Sequence, residues 1–184
     1  PVLKINTGVE NQQILDIGCG SGRLLNYIEK NFPNSKYLGI DASSGMIEEA
    51  YKEFPNNEFS TLDMTDLDKL NNKYDIIFFI ASFHHLPLKE QRIKVLQSTK
   101  NILKDGGLVF MTNWDLLGEK NFIKYEKSYN GNGDFSIKIG EFSRYYHSFE
   151  LKELENLFKG QDFEILENRV FDNGNNVISI IQKK

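Results

Sequence analysis

Three aspartates occupy similar places early in the chain. Asp16 stands two residues before the first glycine of I-L-D-I-G-C-G-S-G-R-L, Asp41 closes an apolar run at residues 37–40, and Asp63 closes another at 59–62. Gly18, Gly20 and Gly22 alternate with Cys19 and Ser21. Glycine lets the backbone turn sharply and lets a ligand approach with no Cβ in the way. In open α/β sheets ligands sit at the carboxyl ends of the strands, where these acids fall. The spacing is G-x-G-x-G, and the dinucleotide fingerprint is G-x-G-x-x-G. Asp16 would repel a pyrophosphate and suits a ligand bearing an ammonium group. Asp41 can accept hydrogen bonds from both hydroxyls of a ribose, a role that dinucleotide enzymes share. Asp63 can accept from an adenine amino group, with Met46 or Met64 against the ring. Each acid alone reads equally well as a helix cap or a turn. Three of them at successive strand ends, beside a glycine turn, point to one ligand site.

A second set lies far down the chain. F-S-R-Y-Y-H-S-F (142–149) places Arg144, Tyr145, Tyr146 and His147 in consecutive positions, and S-F-H-H-L-P (82–87) holds His84 and His85. An arginine can grip a carboxylate bidentately. Adjacent histidines point in different directions, and either can simply pack or cap the following helix. The plainer reading of 142–149 is a strand with one core tyrosine and a solvated edge. With three histidines in all and no acid/histidine cluster at ligand spacing, no metal site is expected. Cys19 has no evident basic partner and reads as a small buried loop residue.

The elements that must position these groups alternate between strand and helix. Residues 14–17 lead into the glycines. Leu24, Leu25, Ile28 and Phe32 stripe a helix that Pro33-Asn34 breaks. A short strand at 37–40 precedes a helix striped by Met46, Ile47, Ala50 and Phe54 and capped at Ser43 or Ser44. Residues 59–62 form a third strand, and Y-D-I-I-F-F-I (74–80) is the continuous apolar run of a strand covered on both faces. Leu88, Arg92, Leu96, Thr99 and Leu103 mark a third helix, stopped by Asp105-Gly106-Gly107, and 108–112 is a fifth strand. This is a βαβ series, hence a parallel sheet with helices on both faces. The polar-aromatic stretch 116–132 ends in the loop Asn130-Gly131-Asn132-Gly133. Leu151, Leu154, Leu157 and Phe158 mark a last helix, and strands at 163–171 and 177–181 are joined through Asp172-Asn173-Gly174.

Composition bounds the function classes. The chain has 184 residues, 40% apolar and 26% charged, with a net charge of −4 and a pI near 5.5. That suits one globular, soluble domain and argues against tight nonspecific nucleic-acid binding. One cysteine excludes an internal disulfide and suggests a reducing, cytoplasmic setting. No apolar run reaches membrane-spanning length, and no signal peptide is visible. The chain opens on Pro1 and soon enters a strand, so an N-terminal piece is expected to be missing.

The stretches L-D-I-G-C-G-S-G, Y-L-G-I-D-A-S-S-G-M-I, S-T-L-D-M-T-D-L, Y-D-I-I-F-F-I-A-S-F-H-H-L and L-K-D-G-G-L-V-F-M-T-N-W together resemble the class I S-adenosylmethionine-dependent methyltransferases, in that family's order and over residues 14–114. The resemblance implies a Rossmann-like, doubly wound α/β sheet of strand order 3-2-1-4-5-7-6 with strand seven antiparallel. It implies S-adenosyl-L-methionine as cofactor and S-adenosyl-L-homocysteine as product. Gly18, Cys19, Gly20 and Gly22 would pass close to the cofactor, with Asp16 near its methionine portion. Asp41 and Ala42 would lie at the ribose, Met46, Asp63 and Met64 at the adenine, and the backbone of Ile80 and Ala81 at the methionine end.

With F-H-H-L-P-L-K-E-Q-R-I-K-V-L, the run S-R-Y-Y-H-S-F is similar to a narrower group, the tRNA methyltransferases that esterify 5-carboxymethyluridine at the wobble position, and their prokaryotic relatives. That likeness implies that Arg144, Tyr145, Tyr146 and His147, with His84 and His85, line the acceptor pocket. Arg144 would hold the carboxylate, a tyrosine would stack on the uracil and His147 would donate a hydrogen bond. A carboxylate is already ionised at neutral pH and needs no base. Relative to the family, the helix before the first strand is lacking, which would weaken cofactor binding, and an acceptor-side insertion spans about 115–147 of a single 1–184 domain. From 116 to 147 the positives exceed the negatives by one, a poor track for a whole tRNA. The eukaryotic relatives act with a small zinc-binding partner protein. The alternatives are methylation of a small metabolite, which the acidic pI favours, and a non-catalytic S-adenosylmethionine-binding protein.

Overall fold

The computed structural model describes residues 11–171 and 174–184. Five parallel strands, β1 (Gln13–Ile17), β2 (Lys36–Asp41), β3 (Glu58–Thr61), β4 (Tyr74–Ile80) and β5 (Leu103–Trp114), alternate with helices α1 (Leu25–Asn31), α2 (Ser44–Glu53) and α3 (Lys89–Ile102). Then come α4 (Glu119–Tyr125), β6 (Tyr129–Gly131), β7 (Asp134–Ile139), β8 (Phe142–His147), α5 (Leu151–Gly160), β9 (Phe163–Val170) and β10 (Asn176–Lys183). The main sheet runs β3-β2-β1-β4-β5-β10-β9, with β10 antiparallel to both neighbours. Skipping β6–β8, this is the expected order 3-2-1-4-5-7-6 with its seventh strand reversed.

Alternation along the strands sends side chains into two cores. Ile77 and Phe79 of β4 face one way and meet Val95, Leu96, Leu154 and Phe158 of α3 and α5. Ile76 and Phe78 face the other way and meet Leu25, Ile28, Ile47 and Ala50 of α1 and α2. A strand buried on both faces must be apolar where both faces are covered, as 76–79 is, and the one charged residue, Asp75, sits near the strand's start and pairs with Lys104 at 2.7 Å. The cap on α2 is Ser43, whose Oγ accepts from Met46 N at 3.3 Å.

The third helix ends earlier than its stripe suggests. Leu103 opens β5, and Asp105-Gly106-Gly107 lies within that strand. The register between β4 and β5 jumps from Tyr74↔Leu103 to Ile76↔Leu108, and Gly106 at φ +72° takes up the extra residues. The stretch 116–132 contains a helix, α4, and a short strand, β6. Of the expected Asn130–Gly133 loop, Asn130 and Gly131 belong to β6, and Asn132-Gly133 is the tight turn into β7, with positive φ at Gly131, Asn132 and Gly133. Of the expected Asp172-Asn173-Gly174 connection, Asp172 and Asn173 lie outside the described residues, as do residues 1–10.

The strands β6, β7 and β8 form a separate antiparallel sheet. It packs with α4 around a small core of its own: Leu116, Phe135, Ile137 and Tyr146, lined by Trp114, Leu117, Phe122 and Tyr125. Trp114, the last residue of β5, joins this lobe to the main sheet.

Candidate active site

The glycine turn follows β1 and is stitched to the end of β2. Gly18 N and Cys19 N both donate to Ile40 O, at 2.8 and 3.0 Å, and Gly20 N donates to Asp41 Oδ2 at 3.0 Å. The three glycines serve different purposes. All three take positive φ; beyond that, a Cβ on Gly18 would come within 2.4 Å of Ser82 Cβ, which packing excludes, and one on Gly22 within 3.1 Å of the Phe54 ring, which would have to give way. A Cβ on Gly20 would meet nothing within 4 Å. That glycine answers to its φ of +57° and borders open space.

Asp16, at the end of β1, is only 2% exposed. Its Oδ2 accepts from Tyr37 Oη at 3.0 Å, and among the described residues no cation pairs with it. Burial is the main force pushing its pKa up to about 7, with Asp41 adding to it and the tyrosine bond opposing it. A buried carboxylate without a cation fits the ammonium group of a methionine moiety. Cys19 is buried beside these acids. Burial first, then Asp16 and Asp41, push its thiol far above the usual range, so it is no nucleophile.

Asp41 is half-buried. Its Oδ1 accepts from Ser43 N at 2.9 Å, so both oxygens brace the turn and each keeps a further lone pair for a ribose hydroxyl. Ala42 next to it is exposed and Met46 half-buried. Asp63 is exposed and caps the short 3₁₀ helix that Met64 opens, with Oδ1 accepting from Thr65 N at 2.8 Å and Thr65 Oγ1 at 2.7 Å. Its second oxygen has no partner among the described residues. The turn after β3 starts beside the turn after β2, since Leu62 N donates to Asp41 O at 2.9 Å. After Ile80, Ala81 takes a φ of +55° while its N–H bonds Thr112 at the end of β5. A left-handed alanine is strained, and here it swings the chain off the strand into the turn that carries both histidines. The glycine turn, the buried Asp16, the half-buried Asp41 and the open face at Gly20 together fit S-adenosylmethionine.

The histidines adopt contrasting states. His84 is 1% exposed; its Nδ1 accepts from Trp114 N at 3.1 Å, and its Nε2 is buried with no partner among the described residues. Burial foremost, with His85, Arg144 and His147 nearby, holds it well below the usual histidine range, so it is neutral. His85 is half-buried and donates from Nδ1 to Tyr145 O at 2.9 Å. Burial, with Arg144 adding to it, lowers its pKa to about 4 against the opposing Tyr145 carbonyl and Asp41.

Strand β8 divides its side chains. Arg144 is exposed, has no ion pair among the described residues, and is close enough for its charge to bear on His84, His85 and Tyr146. Tyr146 is 3% exposed, stacked on Trp114 at 5.0 Å between ring centres and edge-on to His85 at 4.6 Å. Its ring is enclosed, and the half-exposed Trp114 stacks on Tyr125 as well, at 6.4 Å between ring centres. Tyr145 and His147 turn to the other side. Tyr145 Oη donates to Asp134 Oδ1 at 2.6 Å and accepts from Arg92 Nη2 at 3.0 Å. His147 faces Asp134 Oδ1 with Nδ1 at 2.6 Å and Glu153 Oε2 with Nε2 at 2.9 Å. Each ring nitrogen is thus engaged by a carboxylate oxygen. His147 therefore has no free nitrogen for an acceptor, contrary to the expectation from sequence. Arg92 completes the network through Glu153 Oε1 at 3.2 Å and Leu86 O at 3.0 Å. Burial works against the Asp134 carboxylate, but the bonds from Tyr145 and His147 and the neighbouring charges outweigh it and lower its pKa.

Sequence reasoning placed Arg92 in an apolar helix stripe without a role. A charged residue in such a stripe was the available signal for a buried network. Trp114, Asp134 and Glu153 carried none. Among the described residues, no group of three His, Cys, Asp or Glu could hold a metal ion, and no helix is long and apolar enough to cross a membrane.

Comparison with known proteins agrees with this geometry. A family model described as "Methyltransferase domain" matches residues 15–109. The chain is 36% identical over 119 residues to the malonyl-[acyl-carrier protein] O-methyltransferase of Acetivibrio thermocellus, covering 63% of this chain and 39% of that protein. It is 31% identical over 102 residues to the tRNA (carboxymethyluridine(34)-5-O)-methyltransferase of Saccharomyces cerevisiae, covering 55% and 35%. It thus spans well under two thirds of both curated relatives. In fold it is similar to a S-adenosylmethionine-dependent methyltransferase from Methanosarcina mazei, with a TM-score of 0.77, 22% identity, and 95% and 93% of the two chains covered. A sheet of this order, and a family model running from Leu15 to Val109, converge on one assignment: the chain belongs to the class I S-adenosylmethionine-dependent methyltransferases.

Proposed function

We propose that the protein methylates a carboxylate oxygen, and that the carboxylate belongs to a modified uridine at the wobble position of a tRNA. The observation that carries the reading is Arg144. It is an exposed guanidinium with no ion pair among the described residues, bonded to the Tyr146 hydroxyl and near enough for its charge to bear on two neutral histidines. A planar cation in that setting suits bidentate recognition of a carboxylate. Both curated relatives are named as O-methyltransferases of acceptors that carry a carboxyl group, one malonyl and one carboxymethyluridine.

Bound at the glycine turn, S-adenosylmethionine supplies a methyl group already activated by a sulfonium, whose leaving group is a neutral thioether. The chain's own work is positioning and exclusion of water. Asp16 holds the ammonium end, Asp41 the ribose and Asp63 with Met64 and Met46 the adenine. Arg144 fixes the acceptor's anion, and the half-exposed Tyr125 offers its ring a flat face. No general base is required, which agrees with neutral histidines of lowered pKa. Grip on a whole tRNA would come with help from a partner protein, since the lobe carries little net positive charge.

The test is tRNA from cells lacking the gene, examined by nucleoside mass spectrometry. The expected result is loss of the carboxymethyluridine methyl ester; an unchanged ester level refutes the tRNA acceptor. The malonyl relative and the net charge of −4 favour a second reading, a small carboxylate metabolite. In that case methyl transfer in extracts survives nuclease treatment.

A further inference from the structure

The three histidines differ in what their nitrogens have left to offer. His147 has both engaged by carboxylates. His84 has one engaged by Trp114 N and the other sealed in the interior. His85 alone, among the described histidines, keeps a nitrogen that is neither bonded nor sealed. Its Nδ1 lies 2.9 Å from Tyr145 O. A carbonyl oxygen has no hydrogen to give, so Nδ1 carries the proton, and in the neutral ring Nε2 is a bare lone pair. The ring cannot easily turn away. The His84 ring stands against it at 4.5 Å and 89°, and Tyr146 at 4.6 Å and 66°. The charged groups whose fields reach it are Arg144 on the acceptor side and Asp41 on the cofactor side, so it stands between the two halves of the site.

We propose that His85 is a specificity-determining hydrogen-bond acceptor: its Nε2 receives an N–H or O–H of the methyl acceptor while Arg144 holds that molecule's carboxylate. The inference rests on the reading of Arg144 given above. The site then reads an anion and a hydrogen-bond donor on the same small unit. A carboxymethyl-substituted imide ring carries both. A malonyl thioester carries the anion with no donor next to it. The lowered pKa of His85, about 4, supports a neutral acceptor in place of a proton-abstracting base. A missing donor would leave the lone pair buried and unpaired under the bound ligand, and sites built to bond a donor discriminate strongly on that ground.

The test uses ¹⁵N-labelled protein saturated with S-adenosylhomocysteine. It is titrated with 5-carboxymethyluridine and, separately, with the N3-methyl derivative, which lacks the imide N–H. Long-range ¹H–¹⁵N imidazole spectra are expected to show His85 protonated on Nδ1 and bare on Nε2 from pH 6 to 8. The parent nucleoside should shift the Nε2 resonance and bind at least about tenfold more tightly than the N3-methyl form. His85→Phe should keep affinity for S-adenosylhomocysteine and lose that discrimination, while His85→Gln, whose amide oxygen can accept, should keep part of it. A proton on Nε2, equal binding or no binding of the two nucleosides by the wild type, or discrimination that survives His85→Phe overturns the proposal. Methyl-ester formation is followed separately. Its absence with discrimination intact removes the proposed reaction and leaves the role of His85 standing.

Discussion

At the cofactor edge the polar contacts are short in sequence. Asp41 binds Ser43 two residues on and Gly20 twenty-one residues back, and Asp63 binds Thr65 two residues on. In the second lobe several are long, beside short ones such as His147 to Glu153, six positions apart. His85 reaches Tyr145 across 60 positions, Arg92 reaches Tyr145 across 53, and Arg92 reaches Glu153 across 61. The cofactor edge also leaves acids without cations, Asp16 above all, whereas Tyr145, His147 and Arg92 bond to groups within the protein. One half is a ligand site assembled from strand ends. The other is a lobe tied to the sheet by a hydrogen-bonded network around Arg92, and Arg144 is an exposed cation with no ion pair among the described residues. Exposed and anchoring residues thus alternate along a single strand, and only their partners tell them apart.

The largest effect is expected where the network is cut. Arg92→Ala takes the buried donor from Glu153 Oε1, Tyr145 Oη and the Leu86 carbonyl and should lower stability by roughly 3 kcal/mol. The midpoint of urea unfolding reads this, and unchanged stability would mean that the network does not anchor the lobe. Arg144→Ala should lower methyl transfer about 100-fold, on the order of 3 kcal/mol, while calorimetric affinity for S-adenosylhomocysteine stays within about twofold. If that variant abolishes cofactor binding, the division into two halves is wrong. Asp41→Ala should weaken S-adenosylhomocysteine by roughly 1–3 kcal/mol, read by the same calorimetry, with the urea midpoint showing whether the turn itself loosens.

The smallest effect is a pH dependence. Folded Asp16 keeps its proton up to about pH 7 because burial disfavours the carboxylate, and the unfolded chain releases it near pH 4. Between those values the native state binds more protons, so this group makes stability fall as pH rises. From pH 6 to pH 8 the loss should be on the order of 1 kcal/mol in the ligand-free protein. It should vanish in Asp16→Asn and diminish with S-adenosylhomocysteine bound, whose ammonium favours the ionised acid.

Much of the cofactor half was legible because its information is local. The acids end strands whose apolar runs are contiguous, and G-x-G-x-G at a strand-to-helix turn is a backbone requirement written in residue type. What local reading obscured was the division of labour: Gly18 and Gly22 answer to Ser82 and Phe54, and Gly20 to open space. The end of α3 was misplaced because a glycine that reads as a helix stop equally serves a strand irregularity. In R-Y-Y-H the residue types suggested a pocket, but alternation along β8 sends Tyr145 and His147 toward Asp134 on β7, and which side each took depended on that partner strand.

By itself the sequence determined the alternating strands and helices and the row of acids at the strand ends, because period and turn chemistry act over a few residues; the order of the main sheet followed from the resemblance to the methyltransferase family. The tertiary structure decided which nitrogen of each histidine is free, which tyrosine is enclosed and which arginine is buried. Protonation and hydrogen-bonding capacity depend on burial and on partners that the chain brings close only by folding.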